Sequence, residues 1–334
     1  MKKPILFLGL LATFLVGCSA LMFEKAGPSP TIPAQVSLEG LTVENYPSVD
    51  GSTSTRPLQQ QTACHVFGLN CIWYDGFFFD ETRNILPDLD NPAAQEGMDI
   101  VFNLQHSGTH DAYMNLIRGE AELILVARAP SEDEIRAARL RRVSLDYRPV
   151  ALDAFVFLVN TENPVENLQV EEIRKIYTGK ITSWDQIGVD LALDGNRMIT
   201  SYRRNENSGS QELMEALVMQ GEEMIDAPDL LLMGMMGPFY AIGGDVLGIG
   251  YSVYFYAAYM LPTETVRMAA VEGVLPTDET ISDGTYPFVT EVFVVLRGDA
   301  DPESPEVRLR NWLLTPEGQA VVAESGYIPV IGEN

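Results

Sequence analysis

The stretch Ser201-Tyr-Arg-Arg-Asn-Glu-Asn-Ser-Gly-Ser-Gln211 holds the side chains best suited to chemistry. Arg203 and Arg204 lead into a polar turn, and Ser208-Gly209-Ser210 then opens an amphipathic run through Leu213, Met214, Ala216, Leu217 and Val218. A Ser or Asn just ahead of an apolar run at helical spacing predicts a helix start. Such a start leaves N–H groups unpaired at the positive end of the helix dipole and attracts anions. Gly209 allows close backbone approach, the two hydroxyls add donors, and Arg203 or Arg204 adds a charge able to grip a tetrahedral oxyanion bidentately. Taken alone, the commoner meaning is a capped helix with two solvated arginines.

Two more turns of the same chemistry precede it. Tyr46-Pro-Ser-Val-Asp-Gly-Ser-Thr-Ser-Thr55 reads as an extended segment and a turn, with Pro57-Leu58 starting a helix. His106-Ser-Gly-Thr109 is followed by a helical pattern at Tyr113, Leu116 and Ile117. The recurrence of hydroxyl-and-glycine turns after strands fits ligand capture at the strands' C-terminal ends.

Other chemistries fit these residues less well. Ser208-Gly-Ser lacks the flanking glycines of a nucleophile elbow, and the histidines are His65, His106 and His110. A serine triad through His106 or His110 is the weaker reading. The same two as metal ligands are doubtful, because the turn at Ser107-Gly108 breaks their helical spacing. Met233-Gly-Met-Met236 reads as adaptable packing before soft-metal binding. The basic run Arg136, Arg139, Arg141 and Arg142 reads as a solvated helix face, and Phe77-Phe-Phe79 and Tyr251–Tyr259 as strand and core packing. No enzyme activity, cofactor or metal is expected.

The elements that must position these turns alternate. Met98–Asn103 and Ala121–Ala127 read as strands, Ile85–Gln95 as a loop, and Ser131-Glu-Asp-Glu134 as the cap of a helix running to Leu140. Asp153–Asn160 is another strand, Val170–Tyr177 a helix, Gly248–Ser252 and Tyr286–Arg297 strands, and Pro305–Ser325 one or two helices. This is the pattern of an α/β layer architecture. The 334 residues suggest about two domains. A formal charge of −25 excludes a nucleic-acid partner, which needs a basic face, but leaves room for a small anion held by a few convergent donors.

The N-terminus supplies an address. Lys2-Lys3 precede an apolar run, Ile5 to Val16, too short to span a bilayer, and Leu15-Val-Gly-Cys18 resembles a bacterial lipobox. The expected plan is a lipoprotein signal peptide at 1–17, lipidation at Cys18 and a Pro-rich tether over 18–42. Cleavage removes two lysines and no acid, taking the charge from −25 to −27. Cys64 and Cys71 then lie in an oxidising compartment, where a local disulfide competes with two buried thiols or a metal site, for which the ligands fall short.

Four blocks occur in order: Phe157-Leu-Val-Asn-x-x-Asn-Pro-Val165, Ile173-x-x-Ile-Tyr-x-Gly-Lys-Ile-x-x-Trp184, Arg204-Asn-Glu-Asn-Ser-Gly-Ser210 and Ile249-Gly-Tyr251. Over residues 43–330 the chain resembles the phosphate-binding proteins of ABC importers, the PstS-like family with the type II periplasmic-binding fold. The resemblance implies an α/β fold of two lobes, each a mixed sheet flanked by helices, with the ligand in the cleft between them. Lobe one would combine 43–152 and 260–334, and lobe two would span 153–259.

It further implies a ligand set of Ser52 and Thr53, Ser107, Gly108 and Thr109, and Arg204, Ser208, Gly209 and Ser210, with Glu206 where the family pairs an Asp with the arginine. The family's Asp that accepts the proton of hydrogen phosphate, and so rejects sulfate, is missing from Ala127-Arg128-Ala129-Pro130. Arg128 is therefore either a further anion ligand or a solvent-facing side chain. The implied function is capture of inorganic phosphate by a monomeric, extracytoplasmic lipoprotein serving an ABC permease and ATPase, at the cell surface or in the periplasm. The alternatives are a receptor for sulfate, molybdate or tungstate, and a sensor or adhesion lipoprotein on the same scaffold.

Overall fold

A computed structural model of the chain describes residues 38, 40–76, 81–90, 94–190, 197–227 and 230–330. The signal peptide, Cys18, nearly all of the tether and the Phe77–Phe79 cluster lie outside the described residues. After a 3-10 turn at Val43–Asn45 come β1 (Val49–Gly51), α1 (Arg56–Val66), β2 (Cys71–Tyr74), β3 (Asn84–Pro87), α2 (Ala94–Asn103), α3 (Thr109–Arg118), β4 (Leu123–Val126) and α4 (Glu132–Leu140). The long β5 (Leu145–Asn160) leads into β6 (Asn167–Leu168), α5 (Val170–Tyr177), β7 (Thr200–Ser201), β8 (Arg203–Arg204), α6 (Gly209–Leu213), β9 (Leu231–Leu232), α7 (Gly237–Gly243) and β10 (Gly248–Val253). Then follow β11 (Val266–Met268), β12 (Ala270–Val271), α8 (Asp278–Ser282), β13 (Val289–Arg297), α9 (Pro305–Leu313), α10 (Pro316–Glu324) and β14 (Ile328–Pro329).

β5 is the shared beam of the fold. At about 3.3 Å per residue, a 16-residue strand is roughly 50 Å long. Leu145–Ala154 pairs antiparallel with β13, and Phe155–Val159 pairs antiparallel with β10. The main sheet therefore runs β1-β4-β13-β5-β10-β7, mixed in direction, with β11 and β14 also pairing to β5. Ala154-Phe-Val-Phe-Leu-Val-Asn160 is buried on both faces, which explains its continuous apolar run without alternation. Phe155 and Phe157 meet edge to face, and Phe288 packs against both. Strands, helices and pocket thus divide into two halves about this beam, the two-lobed mixed α/β arrangement.

Two expectations need correction. Met98–Asn103 is not a strand but the end of α2: Met98 and Val101, three apart, are buried against Ile72, Leu86 and the bonded Cys64–Cys71 pair, while Phe102 is exposed. That i, i+3 spacing is helical, and the short apolar run masked it. Ile85–Gln95 is not all loop, since Ile85 and Leu86 lie in β3 and pair with β2. Farther along, Val266–Met268 pairs with Asn160–Leu158 and Ala270–Val271 with Asn167–Leu168.

At the crossing itself, Asp153 is 1% exposed. Its Oδ1 accepts the N–H groups of Ala154 (2.8 Å) and Phe255 (2.9 Å), while Oδ2 has no hydrogen-bond partner among the described residues. Burial pushes this carboxyl from 3.8 up to about 7, against those backbone donors. The folded value exceeds the unfolded one, so the native form holds an extra proton between roughly pH 4 and 7, and its contribution to stability falls as pH rises through that window. Asp153→Asn keeps the acceptor and removes the titration. Between pH 5 and 8 the melting temperature of the wild type should fall relative to that of the variant; parallel curves would refute this account.

Candidate functional site

The C-terminal ends of β1 and β4 build one side of the site. Beyond β1, the Ser52 N–H donates to Leu125 O (3.0 Å), and its hydroxyl accepts the Ala127 N–H (3.0 Å) and bonds to Thr109 Oγ1 (2.7 Å). The turn at 107–109 is held from beneath by Asp50, which is 1% exposed. Its carboxylate accepts Ser107 N–H (2.9 Å), the Ser107 hydroxyl (2.8 Å) and Asn115 Nδ2 (2.6 Å). Gly108 caps α3 at φ 103°, a backbone region that side chains resist, so glycine is needed here.

The other side is built from β8, α6 and the loop after β9. Arg204 is 5% exposed; its backbone N–H donates to Tyr251 Oη (3.0 Å), which in turn donates to Gln211 Oε1. Its guanidinium donates Nε–H to Leu232 O (3.2 Å) and places Nη1 3.3 Å from Met235 Sδ. No carboxylate pairs with it among the described residues; Glu206, expected as its partner, is exposed. Burial accordingly lowers the Arg204 guanidinium from its ordinary value, with only the Tyr251 and Tyr256 hydroxyls working against this. Ser208 caps α6, and its buried hydroxyl has no hydrogen-bond partner among the described residues. Arg203, the other candidate, is turned away and donates to Ile225 O (2.6 Å).

Between the two sides lies a cavity of about 220 Å³. It brings together Ser52, Thr53, Ser107, Gly108, Thr109, Arg204, Ser208, Gly209 and Ser210. The sides touch: a Cβ at Gly209 would lie 2.4 Å from Thr109 Oγ1. A guanidinium, an unpaired hydroxyl and the first N–H groups of a helix converge there, a donor set suited to an oxyanion.

Arg128 departs from both of its expected placements. It neither lines this cavity nor faces solvent, but is 6% exposed and paired with Glu134 and Glu212. Glu134 also accepts the Ser131 N–H that the capping box requires, so one carboxylate serves the helix start and the arginine. His110 Nδ1 faces Glu134 at 3.1 Å and His106 Nε2 faces Arg56 at 2.9 Å. His110, Glu134 and Glu212 gather closely enough to hold a metal ion, yet the Arg128 guanidinium is ion-paired with both carboxylates and already supplies the cation.

Sequence reasoning missed Asp50, Asp111, Asn205, Asn207 and the Met233-Gly-Met235 loop, all of which support or line the site. Asp50 had a signal, an acid one residue before the glycine of the first turn. The methionine loop had none, since only the fold carries it to Arg204.

The profile of the PBP superfamily domain matches residues 84–313. The chain is 24% identical over 235 residues to Protein SphX of Synechococcus elongatus, covering 67% of each. It is 25% identical over 250 residues to the phosphate-binding protein PstS of Pseudomonas aeruginosa, covering 69% of this chain and 74% of that one. The fold is similar to that of a putative phosphate ABC transporter substrate-binding protein with bound phosphate from Clostridium perfringens, at TM-score 0.63 and 22% identity, over 86% of this chain and 100% of that one.

Gly209→Ala tests the contact between the two sides. The added methyl must displace the Thr109 hydroxyl from Ser52 or hold the sides apart, an overpacking cost of about 1–3 kcal/mol. Anion binding should weaken by roughly five- to a hundredfold while the melting temperature changes little. Unchanged affinity would show that this contact is dispensable.

Proposed function

The chain belongs to the PBP superfamily-domain family, and from that membership we propose that it is an extracytoplasmic receptor that captures inorganic phosphate for an ABC import system. The observation that carries this reading is Arg204: a buried guanidinium that meets no carboxylate among the described residues, beside a Ser208 hydroxyl likewise without a partner among them and the start of α6. A buried charge in that position calls for an anion. In this reading Arg204 supplies charge, Ser208 to Ser210 supply backbone and hydroxyl donors, and Ser52, Thr53, Ser107, Gly108 and Thr109 complete the cage from the other lobe. The receptor does no chemistry on the anion; closing the lobes excludes water and strengthens each hydrogen bond. Relatives named as phosphate-binding proteins support the choice of ligand.

The same proposal covers features outside the described residues. Lys2-Lys3, the short apolar run and Leu-Val-Gly-Cys18 support a cleaved signal and a lipid anchor at Cys18. Among the described residues, no helix is long and apolar enough to cross a membrane. A second reading, a receptor for sulfate, molybdate or tungstate, is favoured by one observation: Ala127, not a carboxylate, lines the pocket beyond β4.

Calorimetric titration of anion-stripped protein lacking residues 1–18, with phosphate and then sulfate at pH 7, tests both readings. Tight phosphate binding with sulfate silent is expected; equal binding would favour the second reading, and silence with both would overturn the receptor assignment. Arg204→Ala should cost at least ~2 kcal/mol of phosphate binding, because it removes a charge-assisted contact in a desolvated cleft. A variant that binds as tightly as the wild type would show that the site is misplaced.

A further inference from the structure

Arg128 and Glu212 come from opposite halves, and each lies close to the donors its own half presents. Arg128 follows Ala127, whose N–H holds the Ser52 hydroxyl, and Glu212 is two residues beyond Ser210 on α6. Their side chains meet at 2.5 Å, Nη2 to Oε2, with the guanidinium 7% and the carboxylate 20% exposed. The guanidinium is already engaged. Glu134 accepts from Nη1 and Nη2 at 2.8 Å each, Ala129 O accepts from Nη1 at 2.8 Å, and the Tyr113 ring centroid lies 5.5 Å away. On the far side Glu134 faces His110, with Asp133 3.9 Å from the same imidazole. One buried cation thus meets two carboxylates, and Glu212 has the poorer share: its Oε2 sits against the guanidinium without a directed hydrogen bond.

We infer that Arg128 and Glu212 form a proton-linked clasp that positions the two half-cages, the halves closing more readily when Glu212 carries a proton. The inference takes from the proposed function only the anion used to read it out. Burial pushes Glu212 up from 4.5 to about 7; Arg128 and His110 pull the other way, while Glu134 and Asp133 add to the rise. Arg128 itself is raised, because the Glu134 hydrogen bonds and the charges of Glu134 and Glu212 outweigh its burial. The two directions are compatible: Glu134 holds the guanidinium's charge, and Glu212 is the second carboxylate brought to a cation already paired. When the halves part, Glu212 returns to water and to its ordinary value. Closing therefore takes up a proton between about pH 4.5 and 7 and is favoured as pH falls through that window, with no dependence above it.

Glu212→Gln keeps the shape and a carbonyl to accept from Arg128 while removing the titration. The first measurement is hydrogen exchange of anion-free protein at residues 107–110 and 208–213, corrected for intrinsic rates, at pH 8 and 5.5. Protection in the wild type should rise at least about fivefold on acidification, and in the variant it should stay flat. The second is phosphate affinity of both proteins at the same two pH values. The anion's own titration cancels in their ratio, which should shift at least about fivefold in favour of the wild type at pH 5.5. Wild-type exchange that is flat with pH, or identical pH profiles in the two proteins, would overturn the clasp. Phosphate binding by neither protein, with pH-dependent exchange confined to the wild type, would uphold the clasp and overturn only the ligand reading.

Discussion

A guanidinium kept out of water with no carboxylate beside it is costly, and the rest of this structure is arranged around that constraint at Arg204, which meets no carboxylate among the described residues. The backbone of Arg204 is fixed by Tyr251, Tyr251 by Gln211, and Gln211 lies on the helix whose start faces the same cavity. The Leu232 carbonyl and the Met235 sulfur take part of the guanidinium's hydrogen-bonding capacity without taking its charge. An overall charge of −25 does not weaken this local demand. Potential in a low-dielectric pocket is set by the nearest few groups, and distant exposed acids are screened within about a Debye length.

Arg128 shows what the constraint looks like when it is satisfied from within. It is buried to the same degree as Arg204, yet Glu134 meets it with two hydrogen bonds and Glu212 adds a third contact from the other half. One arginine is internally neutralised and ties the halves together; the other is left open between them. A single strand, β5, carries both halves, so movement at the cavity is referred to one stiff, aromatic-packed beam.

The three hydroxyl-and-glycine turns could be read in the sequence because their chemistry is local: a cap, a glycine and an apolar run lie within ten residues of one another. The α/β class and the helices at Glu132–Leu140 and Val170–Tyr177 were legible for the same reason. What was not legible depended on distant partners. Whether Arg128 faces the anion, the solvent or a carboxylate is decided by Glu134 six residues on and by Glu212 across the cleft. Met98–Asn103 reads as a strand because its short apolar run carries no strong period. Its packing against the Cys64–Cys71 pair and Leu86 makes it a helix. The return of Val266–Val271 to pair with β5 and β6 is likewise a non-local register that no local pattern announces.

The donor-rich character of the cavity also sets how an anion's own proton can be received. Arg204 offers donors only, and the backbone N–H groups at the start of α6 do the same. Within the cage, the Ser107 hydroxyl donates to Asp50 while its oxygen accepts from Asn115 Nδ2, and the Ser52 oxygen accepts the Ala127 N–H, which leaves their lone pairs partly engaged. Among the described residues, the one carboxylate lining the cavity is that of Asp111, exposed on the first turn of α3. A fully deprotonated oxyanion would therefore find few buried acceptors opposing it. An anion bearing a proton must direct that proton toward hydroxyl oxygens, the asparagines or Asp111. Discrimination between the two classes thus falls to the orientation of neutral groups and to Asp111. It does not rest on a carboxylate beyond β4, where Ala127 stands.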